Sequence, residues 1–253
     1  MKNNKIFILY CGDDNLRHAA RYLYGVLNHL GYRLDYVPSR RSLTDRQLHK
    51  HYDAIILSDY PSVRISRAAQ EKLVKMVDNG TGLLMIGGWG SFHGYDGNYD
   101  HSKLAKVLPV RCLARDDRVN CSQGGVILPK RDWDPGFSCA RFKKGPLIGG
   151  YNKVVPRPGS KLLLAIRDLQ VNLPKISLSK KEYPLLVAGC SGKGRTACYM
   201  SDLAPHWAGG LVDWGQRKIK IENAAGYFME VGQEYIKFVQ ALITLVLAKD
   251  QHG

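Results

Sequence analysis

Residues 80–95 read GTGLLMIGGWGSFHGY, an apolar run that ends abruptly in glycine, tryptophan, serine and histidine. A short apolar run between turn-forming residues is typical of a strand buried within a sheet. Two similar runs come earlier in the chain, KIFILYC at 5–11 and DAIILSD at 53–59, and YRLDYVP at 32–38 alternates in the manner of a further strand. We therefore expect four strands in the first part of the chain.

Segments with apolar residues at helical spacing alternate with these strands. We expect a first helix that is N-capped by Asp14 and stopped by Gly31, then a capping box at Thr44 and Gln47, and then a helix over 66–79. This alternation predicts an α/β fold in which helices cover both faces of a parallel sheet. An amphipathic segment from Val231 onwards predicts a closing helix.

The sequence pattern changes between residues 101 and 200, where short segments typical of strands replace the segments typical of helices. The last of them, PLLVAGCSGKGRTACYMSD at 184–202, predicts a hairpin with a glycine-rich turn. No long linker separates this segment from the rest. We expect one domain over residues 1–253 with a β-rich insertion.

The bulk composition excludes several classes of protein. The 253 residues have a net charge of +15, but the charges are scattered, with no basic block and no zinc-finger or RNA-binding signature. We therefore regard nucleic acid as an unfavoured partner, and a basic surface that contacts nucleic acid or an acidic protein stays an alternative. No apolar run approaches the ~20 residues that cross a bilayer, and no signal peptide is evident, so we expect a cytoplasmic protein without membrane contact.

The six cysteines show neither a CxxC pair nor spacing typical of a metal site; they are Cys11, Cys112, Cys121, Cys139, Cys190 and Cys198. We expect free thiols and no metal. Cofactor binding is not predicted either. YCGDDN at 10–15 places two acids where a dinucleotide turn needs glycines, and GCSGKGRT at 189–196 departs from the phosphate-loop pattern at Arg195.

Parallel sheets bind ligands beyond the carboxyl ends of their strands. That rule brings SDYPS at 58–62, GGWGSFHGY at 87–95 and SDLAPHW at 201–207 into one neighbourhood. Weak catalytic candidates there are Ser91, His93 and His206. Ser91 does not match the G-x-S-x-G nucleophile pattern, and its distance of two residues from His93 does not secure a nucleophile–base pair.

Five motifs in order carry a resemblance to a known family: IILSDYPS, GTGLLMIGGWGSFHGY, LAKVLPVRCLARDDRV, GYNKVVPRPGSKLLL and PLLVAGCSGKGRTACYMSDLAPHWAGG. Together they resemble the glutamine amidotransferase-like family of bacterial proteins. The resemblance implies the class I glutamine amidotransferase fold, a flavodoxin-like three-layer sandwich with a mostly parallel sheet. It also suggests a relation to ThuA-like proteins.

Enzymes with the class I amidotransferase fold hydrolyse glutamine with a Cys–His–Glu triad. The cysteine of that triad lies in a G-x-C-x-G elbow after a strand. The resemblance puts Gly87 at the position of that cysteine and His206 near the histidine. Ala208 stands where the glutamate is expected. Two triad members are therefore missing, and loss of a triad nucleophile alone costs about 10⁶ in rate. We expect no glutaminase activity.

Two functions remain open besides the basic interaction protein. The first is a non-catalytic member that binds a small, sugar-like ligand, or that associates with itself, as the resemblance suggests for related domains. The second is a hydrolase or isomerase that uses Asp59, His93 and His206 as acid–base groups. The residues expected to bind a ligand are Asp59, Gly87, Gly88, Trp89, Ser91, His93, Asp117, Tyr151, Asn152, His206 and Trp207.

Overall fold

The computed structural model describes residues 5–130, 137–222 and 226–247, without the side chain of Cys139. The helices of this part of the chain are α1 (Ala20–His29), α2 (Asp45–Leu48), α3 (Arg67–Asp78), α4 (Pro205–Ala208) and α5 (Gln233–Val246). Short 3₁₀ helices cover Ser62–Arg64, Tyr99–His101, Lys103–Val107, Cys139–Lys144 and Gly209–Leu211.

The strands of the first half are β1 (Phe7–Gly12), β2 (Arg33–Val37), β3 (Ala54–Ser58), β4 (Gly82–Ile86) and β5 (Val110–Cys112). The strands that follow are β6 (Arg118–Pro129), β7 (Leu147–Asn152), β8 (Val154–Pro156), β9 (Lys161–Asn172), β10 (Lys175–Leu178), β11 (Tyr183–Ser191), β12 (Gly194–Tyr199), β13 (Lys218–Glu222) and β14 (Phe228–Gly232).

Within the described residues, one ten-stranded sheet forms the centre of the molecule, in the order β2-β1-β3-β4-β12-β11-β9-β6-β7, with β10 paired to β9. Strands β2, β1, β3, β4 and β12 run parallel to one another. Strands β11, β9, β6 and β7 continue the sheet in antiparallel pairs. The predicted α/β fold with a parallel sheet and a β-rich addition is confirmed.

Helices cover opposite faces of the parallel half. A Cβ on Gly82 would meet Val246 of α5, whereas a Cβ on Gly194 would meet Val77 of α3. Thr196 is paired with Leu83. Because residues alternate along a strand, Gly82 and Gly194 therefore point to opposite sides of the sheet. The strands between the helices are fully buried, as the apolar runs predicted.

Several local predictions are confirmed. The hairpin of β11 and β12 is present, with Ser191 paired to Gly194. The backbone N–H of Thr44 donates to Gln47 Oε1 (3.2 Å), as a capping box requires. Helix α3 begins after Ser66, whose hydroxyl accepts a hydrogen bond from the backbone N–H of Ala69 (3.2 Å).

Two local predictions are wrong. Helix α1 begins after Ala19 and not at Asp14, because Asp13 and Asp14 both have a positive φ and turn the chain before the helix. Val231 lies in β14 and not in the closing helix, which begins only at Gln233. A strand residue at the edge of an amphipathic pattern can match helical spacing by coincidence. Among the described residues, the helices are too short and too polar to span a bilayer.

The cap of α3 offers a test of the local fold. Ser66→Ala removes the acceptor for the Ala69 N–H and is expected to lower the free energy of unfolding by about 1 kcal/mol. Ser66→Asp keeps a side-chain acceptor and is expected to retain most of the stability. Urea unfolding of the three proteins measures both values, and equal losses in the two variants would contradict the assigned cap.

Candidate functional site

The turns that leave the carboxyl ends of β1, β3 and β4 have an unusual backbone. The non-glycine residues with positive φ in the described part of the chain all lie there: Asp13 (52°), Asp14 (58°), Asp59 (46°), Phe92 (53°) and Asn98 (50°). Non-glycine residues rarely adopt this conformation, and it concentrates at functional sites. These turns lie at the carboxyl edge of the parallel sheet, where the topology rule predicts a ligand site.

An open cleft of about 360 Å³ lies at this edge. We call it the Trp89 cleft; its lining residues are Asp14, Ser39, Arg40, Asp59, Pro61, Arg64, Trp89, Gly90, Tyr95 and Asp96. Trp89 is 44% exposed and Tyr95 is 73% exposed, which is unusual for large aromatic side chains. The charges are mixed, and the guanidinium of Arg40 lies 3.9 Å from the carboxylate of Asp14.

Asn152 and Asp117 hold the loop that carries Trp89. Asn152 is fully buried; its Oδ1 accepts from the N–H of Gly88 (2.9 Å), and its Nδ2 donates to Gly88 O (3.1 Å) and Asp117 Oδ1 (2.7 Å). The Asp117 carboxylate also accepts from the backbone N–H groups of His93 (2.9 Å) and Gly94 (3.1 Å). Both side chains, expected to contact a ligand, are thus used to position the loop.

Gly87 lies at the junction of β4 and the chain that follows β12. Its N–H donates to the carbonyl oxygens of Tyr199 (2.8 Å) and Ser201 (3.0 Å). A Cβ at this position would lie 2.3 Å from Met200 O and 2.8 Å from Asn152 Oδ1. Carbon contacts are favourable only at about 3.5–4.0 Å, so the backbone here leaves no room for a side chain.

Ser91 is buried and fully hydrogen-bonded. Its hydroxyl donates to Ile86 O (2.6 Å) and accepts from the N–H of Asp59 (3.0 Å). This arrangement ties the end of β4 to the turn after β3. A hydroxyl that is committed to a backbone carbonyl is a structural group, and the structure places no histidine side chain in hydrogen-bond contact with it among the described residues.

The two histidine candidates lie in different surroundings. His93 Nδ1 lies 2.9 Å from Asp100 Oδ1, and its ring is mostly covered. His206, in α4, is exposed, and its ring centroid lies 6.2 Å from that of Trp89. The guanidinium carbon of Arg118 lies 4.3 Å from the centre of the Trp89 ring and 5.2 Å from the centre of the Tyr95 ring. His206, but not His93, therefore has a contact with a side chain that lines the cleft.

Tyr151 and Trp207 belong to the packing of the sheet. The Trp207 ring is buried against Gly150 and donates from Nε1 to Asn120 Oδ1 (2.9 Å). Tyr151 precedes Asn152 on β7 and points to the other face, where it stacks with Tyr183 at 5.5 Å. Neither side chain lines the Trp89 cleft.

Three aspartates at this edge interact electrostatically with one another. The sequence pattern indicated only one of them, Asp59. Burial raises the pKa of Asp59, and the backbone N–H of Gly90 opposes that shift. Burial raises the pKa of Asp13, and repulsion from Asp202 and Asp59 raises it further, although the Tyr10 hydroxyl donates to its carboxylate. Burial raises the pKa of Asp202 to about 7. Asp13 follows β1 directly and Asp202 comes three residues after the end of β12, and their position after a strand end is the signal that could have identified them.

Four cysteines of the described residues are buried or half-buried in surroundings that disfavour a thiolate, and the exposed Cys190 lies in β11 and does not line the Trp89 cleft. Cys11 and Cys198 lie in the core, where burial raises the pKa of each thiol. Burial also raises the pKa of Cys112 and of Cys121 to about 12. The Cys139 side chain lies outside the described residues. Within those residues, no group of three or more His, Cys, Asp or Glu side chains has an arrangement that could hold a metal ion.

Comparison with known families now identifies the class of protein. Residues 9–227 match the model of the family described as "Putative glutamine amidotransferase" (GATase1_like). The chain belongs to this family, and the resemblance carried by the five motifs is confirmed. A search of curated proteins found no match.

Two solved structures are similar over nearly the whole chain. The cytoplasmic protein STM1381 from Salmonella typhimurium LT2 is 26% identical, with a TM-score of 0.69, over 95% of this chain and 100% of that one. The cytoplasmic protein STM3548 from Salmonella typhimurium is also 26% identical, with a TM-score of 0.69, over 95% of this chain and 99% of that one.

The packing at Gly87 gives a stability prediction. Gly87→Ala forces a methyl group against Met200 O and is expected to lower the free energy of unfolding by about 1–3 kcal/mol. Gly210→Ala is the matched control, because a Cβ there would meet its nearest atom only at 3.3 Å. Denaturant unfolding measures both. A Gly87→Ala protein as stable as the control would show that the junction can accommodate a side chain.

The raised pKa of Asp202 gives a pH prediction. An aspartate in the unfolded chain has a pKa of about 3.9. Because folded Asp202 keeps its proton up to about pH 7, its contribution favours the folded state at acid pH and is lost as pH rises from about 4 to 7. The Asp202→Asn variant lacks this loss. Its free energy of unfolding, relative to that of the unaltered protein, is therefore expected to be higher at pH 8 than at pH 5. The expected difference is on the order of 2 kcal/mol, since the partial exposure of Asp202 reduces the effect.

Unfolding at pH 5 and pH 8 measures this difference between the variant and the unaltered protein. The difference also includes a contribution from Asp13 in the same direction, because the charge of Asp202 raises the pKa of Asp13 and the variant lacks that charge. The exposed Asp213, replaced in Asp213→Asn, is the control. An Asp202→Asn variant with the same pH dependence as the unaltered protein would contradict the raised pKa.

Proposed function

We propose that this family member binds a small neutral polyhydroxyl ligand, such as a sugar, in the Trp89 cleft and does not hydrolyse glutamine. The observation that carries the second part is the packing at Gly87. The resemblance assigns the nucleophilic cysteine to this position, and a Cβ there would lie 2.3 Å from Met200 O. A cysteine side chain at this position would require the backbone to shift where β4 meets the chain after β12.

The other candidate nucleophiles do not replace that cysteine. The Ser91 hydroxyl donates to Ile86 O (2.6 Å), and the core thiols Cys11 and Cys198 have raised pKa values that keep them protonated. A thiol needs its thiolate form to attack. These surroundings support binding over glutaminase chemistry.

The lining of the cleft supports a polyhydroxyl ligand. The carboxylates of Asp14, Asp59 and Asp96 accept hydrogen bonds, and the guanidinium groups of Arg40 and Arg64 donate them. Exposed Trp89 offers an apolar surface on which a sugar ring can stack. The nearly balanced charges favour a neutral ligand over a phosphate or another strong anion.

A second function, acid–base catalysis on the bound ligand, is favoured by Asp59, which lines the Trp89 cleft. Burial raises the pKa of its carboxyl group, which suits a group that exchanges a proton with a ligand. If this function is correct, prolonged incubation converts the ligand to products, and Asp59→Asn removes the conversion while binding is retained. A ligand recovered unchanged from the unaltered protein would reject it.

We also propose a cytoplasmic location. It is supported by the two Salmonella relatives, both of which are described as cytoplasmic proteins.

The ligand prediction is tested with a panel of neutral mono- and disaccharides, measured by calorimetry and by tryptophan fluorescence. Trp89→Ala is expected to weaken the binding of the best sugar at least about tenfold, which corresponds to ~1.4 kcal/mol. Phe228→Ala, which removes another exposed aromatic ring, is expected to leave the affinity unchanged. Binding that survives Trp89→Ala, or a panel without any binder, would contradict the proposal.

A further inference from the structure

The positive charge of this protein is concentrated in one part of the chain. Residues 101–200 contain 19 Lys and Arg against 6 Asp and Glu, a net charge of +13 out of the total of +15. This segment forms β5 to β12, which include the whole antiparallel half of the central sheet. Charges that look scattered along the sequence are therefore brought together by the fold.

We propose that the antiparallel half carries a basic surface that binds the phosphate backbone of nucleic acid without reading its base sequence. We define the basic surface by five lysines that lie on and beside strands β6, β7, β10 and β11: Lys130, Lys153, Lys175, Lys180 and Lys181. This activity is separate from ligand binding in the Trp89 cleft and does not depend on it.

Two of the lysines lie beside one half-buried aromatic side chain, and a third lies next to it. The Nζ atoms of Lys153 and Lys181 lie 5.1 Å and 5.0 Å from the centre of the Tyr183 ring. Lys130 pairs with Glu182 (2.8 Å), the neighbour of Tyr183. These contacts bring cations from three separate segments of the chain to the same place.

Most of the lysines carry charge that the protein does not neutralise. Within the described residues, Lys175 and Lys180 are exposed and have no acidic partner, and Lys130 is the member of the surface that forms an ion pair. Phosphate groups can therefore approach these ammonium groups without first displacing a carboxylate. Release of condensed counterions from the nucleic acid drives such binding.

Two arginines of the same segment are bonded to backbone carbonyl groups instead. Arg157 donates to the carbonyl oxygens of Ala105 and Leu108. Arg167 donates to the carbonyl oxygens of Ser179 and Leu178. Specific base contacts in the grooves are made most often by arginine, whereas lysine acts as a point charge. A surface of free lysines thus favours contact with the backbone over readout of bases.

The composition of this surface also favours nucleic acid over an acidic protein. Protein interfaces are depleted in lysine at their centres and enriched in aromatic residues, whereas interfaces with nucleic acid are polar and strongly positive. The surface is also extended: the N–H of Lys130 donates to Leu163 O near the start of β9, and Lys175 is paired with Asn172 at the end of β9, positions that are about 30 Å apart along the strand. That length suits a linear polyanion.

The test measures binding of the full protein to a fluorescent random-sequence DNA duplex by anisotropy at several salt concentrations. Binding is expected at 50 mM salt, independent of sequence, with a slope of log affinity against log salt of about −4, since five lysines contact up to that many phosphates. The variant Lys175→Glu, Lys180→Glu, Lys181→Glu is expected to bind roughly tenfold more weakly or worse.

The matched control reverses the same number of charges on the parallel half, at the exposed residues Arg17, Arg46 and Arg67, each changed to Glu. It is expected to keep most of the affinity, which would locate binding on the basic surface. Equal losses in the two variants would instead assign the binding to net charge and overturn the proposal. Circular dichroism confirms that both variants are folded.

Two further outcomes would also overturn it. One is the absence of any binding to duplex or single-stranded nucleic acid at 50 mM salt. The other is polyglutamate that binds the basic surface as tightly as DNA of equal charge, which would indicate an acidic protein as the partner.

Discussion

The hydrogen bonds of one glycine amide determine the geometry of the candidate site. Gly87 donates to Tyr199 O and Ser201 O, so the end of β4 is joined directly to the chain leaving β12. Asn152 N–H in turn donates to Met200 O (2.8 Å), and the Asn152 side chain holds Gly88. The loop that carries Trp89 can take its position only if these backbone groups approach closely, which requires glycine at 87 and a small turn after it.

Much of the fold could be predicted from the sequence because its signals are local. Continuous apolar runs identified the buried strands, and Ser66 and Thr44 identified helix starts. The prediction at Asp14 was wrong because aspartate is favoured both as a helix N-cap and in left-handed turns. Only the backbone angles of Asp13 and Asp14 distinguish the two roles. Val231 misled because a strand side chain can match the period of the helix that follows it.

The candidate site could be predicted only in part, because the roles of its residues depend on contacts between distant segments. The topology rule placed Asp59, Trp89 and His206 correctly at one edge. Asn152 and Tyr151 are neighbours in sequence, but side chains alternate along a strand. Asn152 therefore contacts the loop at Gly88, whereas Tyr151 lies on the opposite face of the sheet. No local pattern indicates that Asp117 would accept from His93 and Gly94, or that Asp202 would join Asp13 and Asp59.

The two halves of the sheet differ in character. The parallel half holds the strained turns and a cleft of mixed charge, whereas residues 101–200, which include the antiparallel half, carry +13 of the net charge of +15. The family model spans residues 9–227 and therefore includes both halves of the sheet.

The central claim is that backbone atoms occupy the place where the resemblance puts a catalytic thiol. Ammonia release from glutamine by the unaltered protein tests it most directly. The account predicts a rate equal to that of buffer, because loss of a triad nucleophile costs about 10⁶ in rate. Sustained ammonia release that disappears on alkylation of the cysteines would contradict it.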